Sequence, residues 1–124
     1  MKKTAQLLIL LAILMAAPAT SWSETEQQKA SRIWGGQLAL LAEGLTMADM
    51  RTYDMKGCGR KMRTILPKAK TLREESQGLH RSRYYHVRMA ATEMTLCATC
   101  GSVIDACARA AGHIRDGIAE ISAK

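Results

Sequence analysis

The chain has 124 residues, with 18 Lys and Arg, 11 Asp and Glu and four cysteines, a length that suits a single domain. Its formal net charge is +7, and setting Lys2 and Lys3 aside leaves a basic excess of five. An imbalance this small admits an acidic protein or an anionic membrane surface as a partner and does not demand nucleic acid, from which the export argued below would also separate the protein.

Lys2 and Lys3 precede an apolar run from Leu7 to Ala17, and Ala17-Pro18-Ala19 places small residues where a signal peptidase reads. This is the pattern of a secretory signal peptide, with cleavage expected after Ala19 or Ser23. The apolar run is shorter than the roughly 20 residues a membrane span needs. No cysteine follows it closely, so a bacterial lipoprotein is not indicated. The expected organisation is a signal peptide over residues 1–23 and a helical domain over 24–124, periplasmic or secreted, where an oxidising environment pairs cysteines.

In Ser23-Glu24-Thr25-Glu26 a hydroxyl and a carboxylate stand three residues apart, as in a capping box. A helix should follow, with Ile33, Trp34, Leu38, Leu41 and Leu45 as its apolar face and Gly44 as its stop. A second helix is expected from about Met47, carrying Met50, Met55, Met62 and Ile65. Gly57-Cys58-Gly59 reads as a joint or loop, and Pro67 closes the segment. Residues 68–77 read as a short solvated helix or a loop.

From Leu79 to Ile121 the pattern is helical. Glu93, Cys97, Cys100, Ile104, Cys107, Ala111, Ile114, Ile118 and Ile121 recur at alternating steps of four and three, one stripe of an α-helix. Nothing reads as a strand. The fold class is therefore all-α: a small antiparallel bundle of three or four helices after a cleavable signal peptide, bridged by disulfides.

The stripe keeps its phase through Gly101, which favours one continuous or kinked helix over a break at Gly101-Ser102. On such a helix, residues seven and ten apart are separated by about 10 and about 15 Å. Disulfide partners need Cα atoms within about 7 Å. Of the three ways to pair Cys58, Cys97, Cys100 and Cys107, only Cys97–Cys100 with Cys58–Cys107 then survives. A break at Gly101 restores all three.

Cys97-Ala98-Thr99-Cys100 is followed by glycine where c-type haem attachment requires histidine. A thioredoxin-like dithiol would follow a strand. Two thiolates with the thioether of Met94 suit copper(I), the metal this pattern admits; no other cofactor is expected. His86 and Glu93 extend the stripe, but about 10 Å apart along a helix they cannot share one ion. His113 falls on the polar face and is expected to be exposed. No Ser–His–Asp set, phosphate-binding loop or Glu-x-x-His repeat is present, no catalytic residue is assigned, and the reading favours a protein that is not an enzyme.

Residues 80–88 concentrate arginine, histidine and tyrosine. Arg81, Arg83, Tyr84, Tyr85 and Arg88 are the residue types favoured at binding surfaces. The leading expectation is an exported, non-enzymatic binding or accessory protein of the cell envelope, contacting another envelope protein through this basic-aromatic surface. The alternatives are a periplasmic protein binding copper(I) or another soft metal through Cys and Met, and a thiol-redox accessory protein.

Overall fold

The computed structural model describes residues 23–101 and 105–123. Apart from Ser23, the expected signal peptide lies outside the described residues, as do Ser102 and Ile104. Four helices follow in order: α1 Glu26–Met50, α2 Met55–Ser76, α3 Tyr85–Cys97 and α4 Ala106–Ser122. Contacts between their ends define an up-down-up-down bundle. Arg32 and Glu43 of α1 pair with Glu75 and Lys61 of α2. Cys58 of α2 meets Cys100 just beyond α3. Gln27 at the start of α1 donates to the Ile121 carbonyl at the end of α4. Helix α1 also packs against α3, so it touches all three other helices.

The capping box forms two residues later than Ser23 and Glu26. Gln28 N donates to Thr25 Oγ1 at 3.1 Å, and Thr25 N donates to Gln28 Oε1 at 2.9 Å. The helix then passes through Gly44 without stopping. Its buried stripe is Ala30, Ile33, Gln37, Leu40, Gly44 and Met47, while Leu38 and Leu45 are about half exposed. The stripe is displaced from the apolar pattern because a glutamine and a glycine occupy two inward positions. Gln37 is fully enclosed and donates to the Val87 carbonyl at 2.8 Å.

Gly57 and Cys58 belong to the first turn of α2 rather than a joint, with Asp54 Oδ1 accepting from Gly57 N at 2.9 Å. Pro67 does not end this helix; it lies inside it. An interior proline removes one backbone hydrogen bond and costs about 3 kcal/mol or more. The buried residues Cys58 and Ile65 before it and Ala69 and Ser76 after it form one continuous inward face. Interrupting the helix would forfeit the second half of that face. Residues 68–77 are thus mostly the last turns of α2, neither a loop nor a separate helix.

The third expected helix divides. Helix α3 ends at Cys97, and α4 begins at Ala106 running back against it. The Thr99 hydroxyl donates to the Leu96 carbonyl at 2.7 Å, Cys100 N donates to Met62 Sδ at 3.4 Å, and Arg51 donates to the Gly101 carbonyl. These contacts hold the described part of the turn. The continuous helix is therefore corrected to an antiparallel hairpin, and the disulfide pairing changes with it. Cys97 bridges Cys107 with Cα atoms 4.6 Å apart, and Cys58 bridges Cys100 at 6.1 Å. The common phase of the stripe misled because two antiparallel helices facing one core each present an inward stripe, whatever joins them.

The core lies in two clusters. One, at the disulfide end and through the middle, includes Leu40, Met47, Ile65, Met94, Ala106 and Ile114 around the cystines. The other, at the opposite end, joins Ala30, Ile33, Leu79, Tyr84 and Val87. Gly44 lets α1 approach the Cys97–Cys107 bridge: a Cβ there would stand 2.5 Å from Cys97 Sγ. Gly35 has nothing within 4 Å of the same position.

Gly44→Ala is expected to cost about 1–3 kcal/mol through overpacking. Gly35→Ala should be neutral or stabilise by up to about 1 kcal/mol through helix propensity. Urea unfolding of both variants checks the contrast. Loop-closure entropy assigns about 4 kcal/mol to Cys58–Cys100, which spans 42 residues, and about 3 kcal/mol to Cys97–Cys107, which spans 10. Replacing Cys58 and Cys100 by serine should therefore lower the thermal midpoint more than replacing Cys97 and Cys107.

Candidate functional site

The start of α3 gathers the polar chemistry of the bundle. Tyr84, at the helix boundary, supplies no side-chain cap. The amides of the second and third helical residues, which a local cap would satisfy, belong to His86 and Val87. They donate instead to Glu120 Oε2 and Oε1 of α4, each at 2.9 Å. A carboxylate from a neighbouring helix thus caps α3, where the positive end of the helix dipole favours it.

His86, whose amide is one of the two capped, places its Nδ1 2.9 Å from His113 Nδ1. Their ring centres are 5.2 Å apart. That distance is the nitrogen separation plus the radius of both rings, so the nitrogens face each other head-on. One ring must carry the Nδ1 proton and the other accept it. Lone pairs aimed at one another do not converge on a point about 2 Å from each nitrogen, as a shared metal ion would require. His113 is therefore half-buried and partnered, not simply exposed on a polar face. Tyr85 stands edge-on to both rings, with centres 5.0 Å from His86 and 6.2 Å from His113. Asp116 lies on the same side, its carboxyl held below the usual range by the hydrogen bond from Arg115, with the Arg115, His86 and His113 charges adding to the effect.

Tyr85 also lines a cleft of about 400 Å³ between the end of α2 and the start of α3. Its other walls include Arg73, Gln77, Arg81, Arg88 and Met89. Among the described residues, no carboxylate pairs with Arg73, Arg81 or Arg88. Arg88 Nε is shut off from solvent without an acceptor.

The basic-aromatic residues separate accordingly. Arg81, Tyr85 and Arg88 meet at the cleft, and Arg73 of α2 joins them. Arg83 lies outside the cleft lining, its guanidinium 5.3 Å from the centre of the Tyr84 ring. Tyr84 is not a surface residue: it is fully buried in the second core cluster, with its hydroxyl unpartnered.

Cys97 and Cys100 sit in different bridges, so neither presents a thiolate, and Met94 is buried in the first core cluster. The expected copper(I) set is not assembled in this oxidised form. No group of three or more His, Cys, Asp and Glu side chains is placed to hold a metal among the described residues. Glu93 forms an ion pair with Arg109 across the hairpin at 3.0 Å.

No spacing in the sequence signals the His86–His113 pair or the Glu120 cap. Hairpin register alone would not select them either: Glu93, four residues before Cys97, meets Arg109, two beyond Cys107, and His86, eleven before, meets His113, six beyond.

Glu120→Ala should remove the cap from α3 at a cost of about 1 kcal/mol, the usual value of a lost helix cap. Amide hydrogen exchange at His86 and Val87 should accelerate more than exchange at the middle of α3. No family model, characterised protein or solved structure matches the chain, so its chemistry is read from this geometry.

Proposed function

We propose that this is an exported, non-enzymatic binding protein of the cell envelope, whose partner is another envelope protein presenting an acidic segment to the cleft between α2 and α3. The observation that carries this reading is the set of three guanidiniums at one cleft that have no ion-pair partner among the described residues. A partner's carboxylates would pair with them in the charge-assisted, bidentate geometry that arginine favours. Tyr85, half exposed, and Met89 add apolar contact beside the charges, a combination suited to a binding hot spot.

Two disulfides suit an oxidising compartment, and no described helix is long and apolar enough to cross a membrane. Both accord with the export that the N-terminal sequence suggests. The bridges brace the far end of the bundle, leaving the cleft end for recognition.

Arg73→Glu, Arg81→Glu and Arg88→Glu, singly and together, test the reading by pull-down from an envelope extract. Loss of each charge-assisted bond should cost about 1.5–3 kcal/mol of affinity, so the triple variant should recover no partner while staying folded. Unchanged recovery removes the proposal. Retained protein capture with lost binding to anionic vesicles would assign the surface to lipid instead.

A further inference from the structure

We infer that the His86–His113 pair is a proton-operated latch on the arginine cleft. It holds the cleft in its binding shape while the two rings share one proton between their Nδ1 atoms, and releases it when both rings are charged. The inference rests on the cleft being the binding surface.

At 2.9 Å, head-on, there is room for one proton between the nitrogens. A second proton makes both of them donors, leaves no acceptor between two positive rings, and breaks the contact. Histidine is the side chain that ordinarily changes charge between about pH 5 and pH 8. The charged and titratable groups about the pair are Tyr85 on α3 and Asp116 and Glu120 on α4. Among the described residues, no charged side chain of α1 or α2 is hydrogen-bonded or ion-paired to either ring. The facing nitrogens cannot accommodate the doubly charged state, so a second proton is met by ring rotation.

Tyr85 couples this rotation to the cleft. Its ring rests edge-on against both imidazoles and is also a wall of the cleft. When either imidazole swings away, Tyr85 loses its seat and the wall moves. The sign of the effect distinguishes the latch from simple electrostatics. Two added positive charges beside the cleft would by themselves tighten an anion, whereas release of the latch weakens it.

The test uses the full chain with its bridges intact. NMR of the histidine and tyrosine rings is recorded without ligand from about pH 7.5 to about pH 5.5. His86 and His113 should titrate in two coupled steps, with the Tyr85 resonances moving at the second. His113→Gln supplies an amide oxygen that accepts from His86 in either charge state, and should abolish the Tyr85 movement; His86→Gln is the mirror control. Independent titration of the two rings, or Tyr85 movement that persists in both variants, overturns the latch. A synthetic peptide of alternating aspartate and leucine then probes the cleft. Its affinity should fall about fivefold or more on acidification in the native chain and should not fall in His113→Gln. Tighter or unchanged binding at low pH overturns the coupling. Failure of the peptide to bind at either pH, with weak binding also in the variants, removes the surface reading, while the ring resonances still judge the latch.

Discussion

The reversal of the chain between α3 and α4 is the constraint on which the rest of the bundle depends. Closing it with Cys97–Cys107 turns what reads as one long helix into a hairpin. That puts Arg109 opposite Glu93, His113 opposite His86, and Glu120 over the start of α3. The same turn carries Cys100 to Cys58, so the second bridge ties α2 to the hairpin. Gly44 then lets α1 lie against the first bridge. By loop-closure entropy the bridges together contribute several kcal/mol, a large share of the roughly 5–15 kcal/mol that holds a typical domain folded. Each surface ion pair adds at most about 1 kcal/mol, so the pairs from Arg32, Lys61 and Arg109 refine helix placement rather than decide it.

The two ends of the molecule divide the work. At one end the core is apolar and covalently closed. At the other, polar groups are supplied across helices: Glu120 caps a helix that has no cap of its own, Gln37 reaches the Val87 carbonyl, and the two histidines satisfy each other. These contacts fix the start of α3, and with it Tyr85 and Arg88. The start of α3 beside the arginine cleft is thus held by the apolar cluster around Tyr84 and Val87 and by hydrogen bonds across helices, of which the Glu120 and histidine contacts depend on protonation. Those contacts are what the proposed recognition at the cleft end, and its proposed control, rest on.

Local chemistry in the sequence was enough for the all-helical class, the capped start of α1 to within two residues, the bridging of cysteines and the concentration of arginine and tyrosine at residues 80–88. Each follows from short-range spacing or residue type, which a linear pattern carries. Where tertiary packing competes with a local signal, the local signal lost. Gly44 marks a close approach rather than a stop, because its missing Cβ matters to a sulfur on another helix. Pro67 is carried through α2 because the inward face continues on both sides of it. Gln37 is buried because a backbone carbonyl of α3 awaits it.

The tertiary structure alone decided the turn after Cys97, the disulfide partners, the inward position of Tyr84 and the meeting of His86 with His113. The reason is geometric. An inward stripe records that a residue faces the core, but not from which direction along the chain, so a continuous helix and a folded hairpin produce the same pattern. The distance between Cys97 and Cys107, about 15 Å along a helix and 4.6 Å here, distinguishes them.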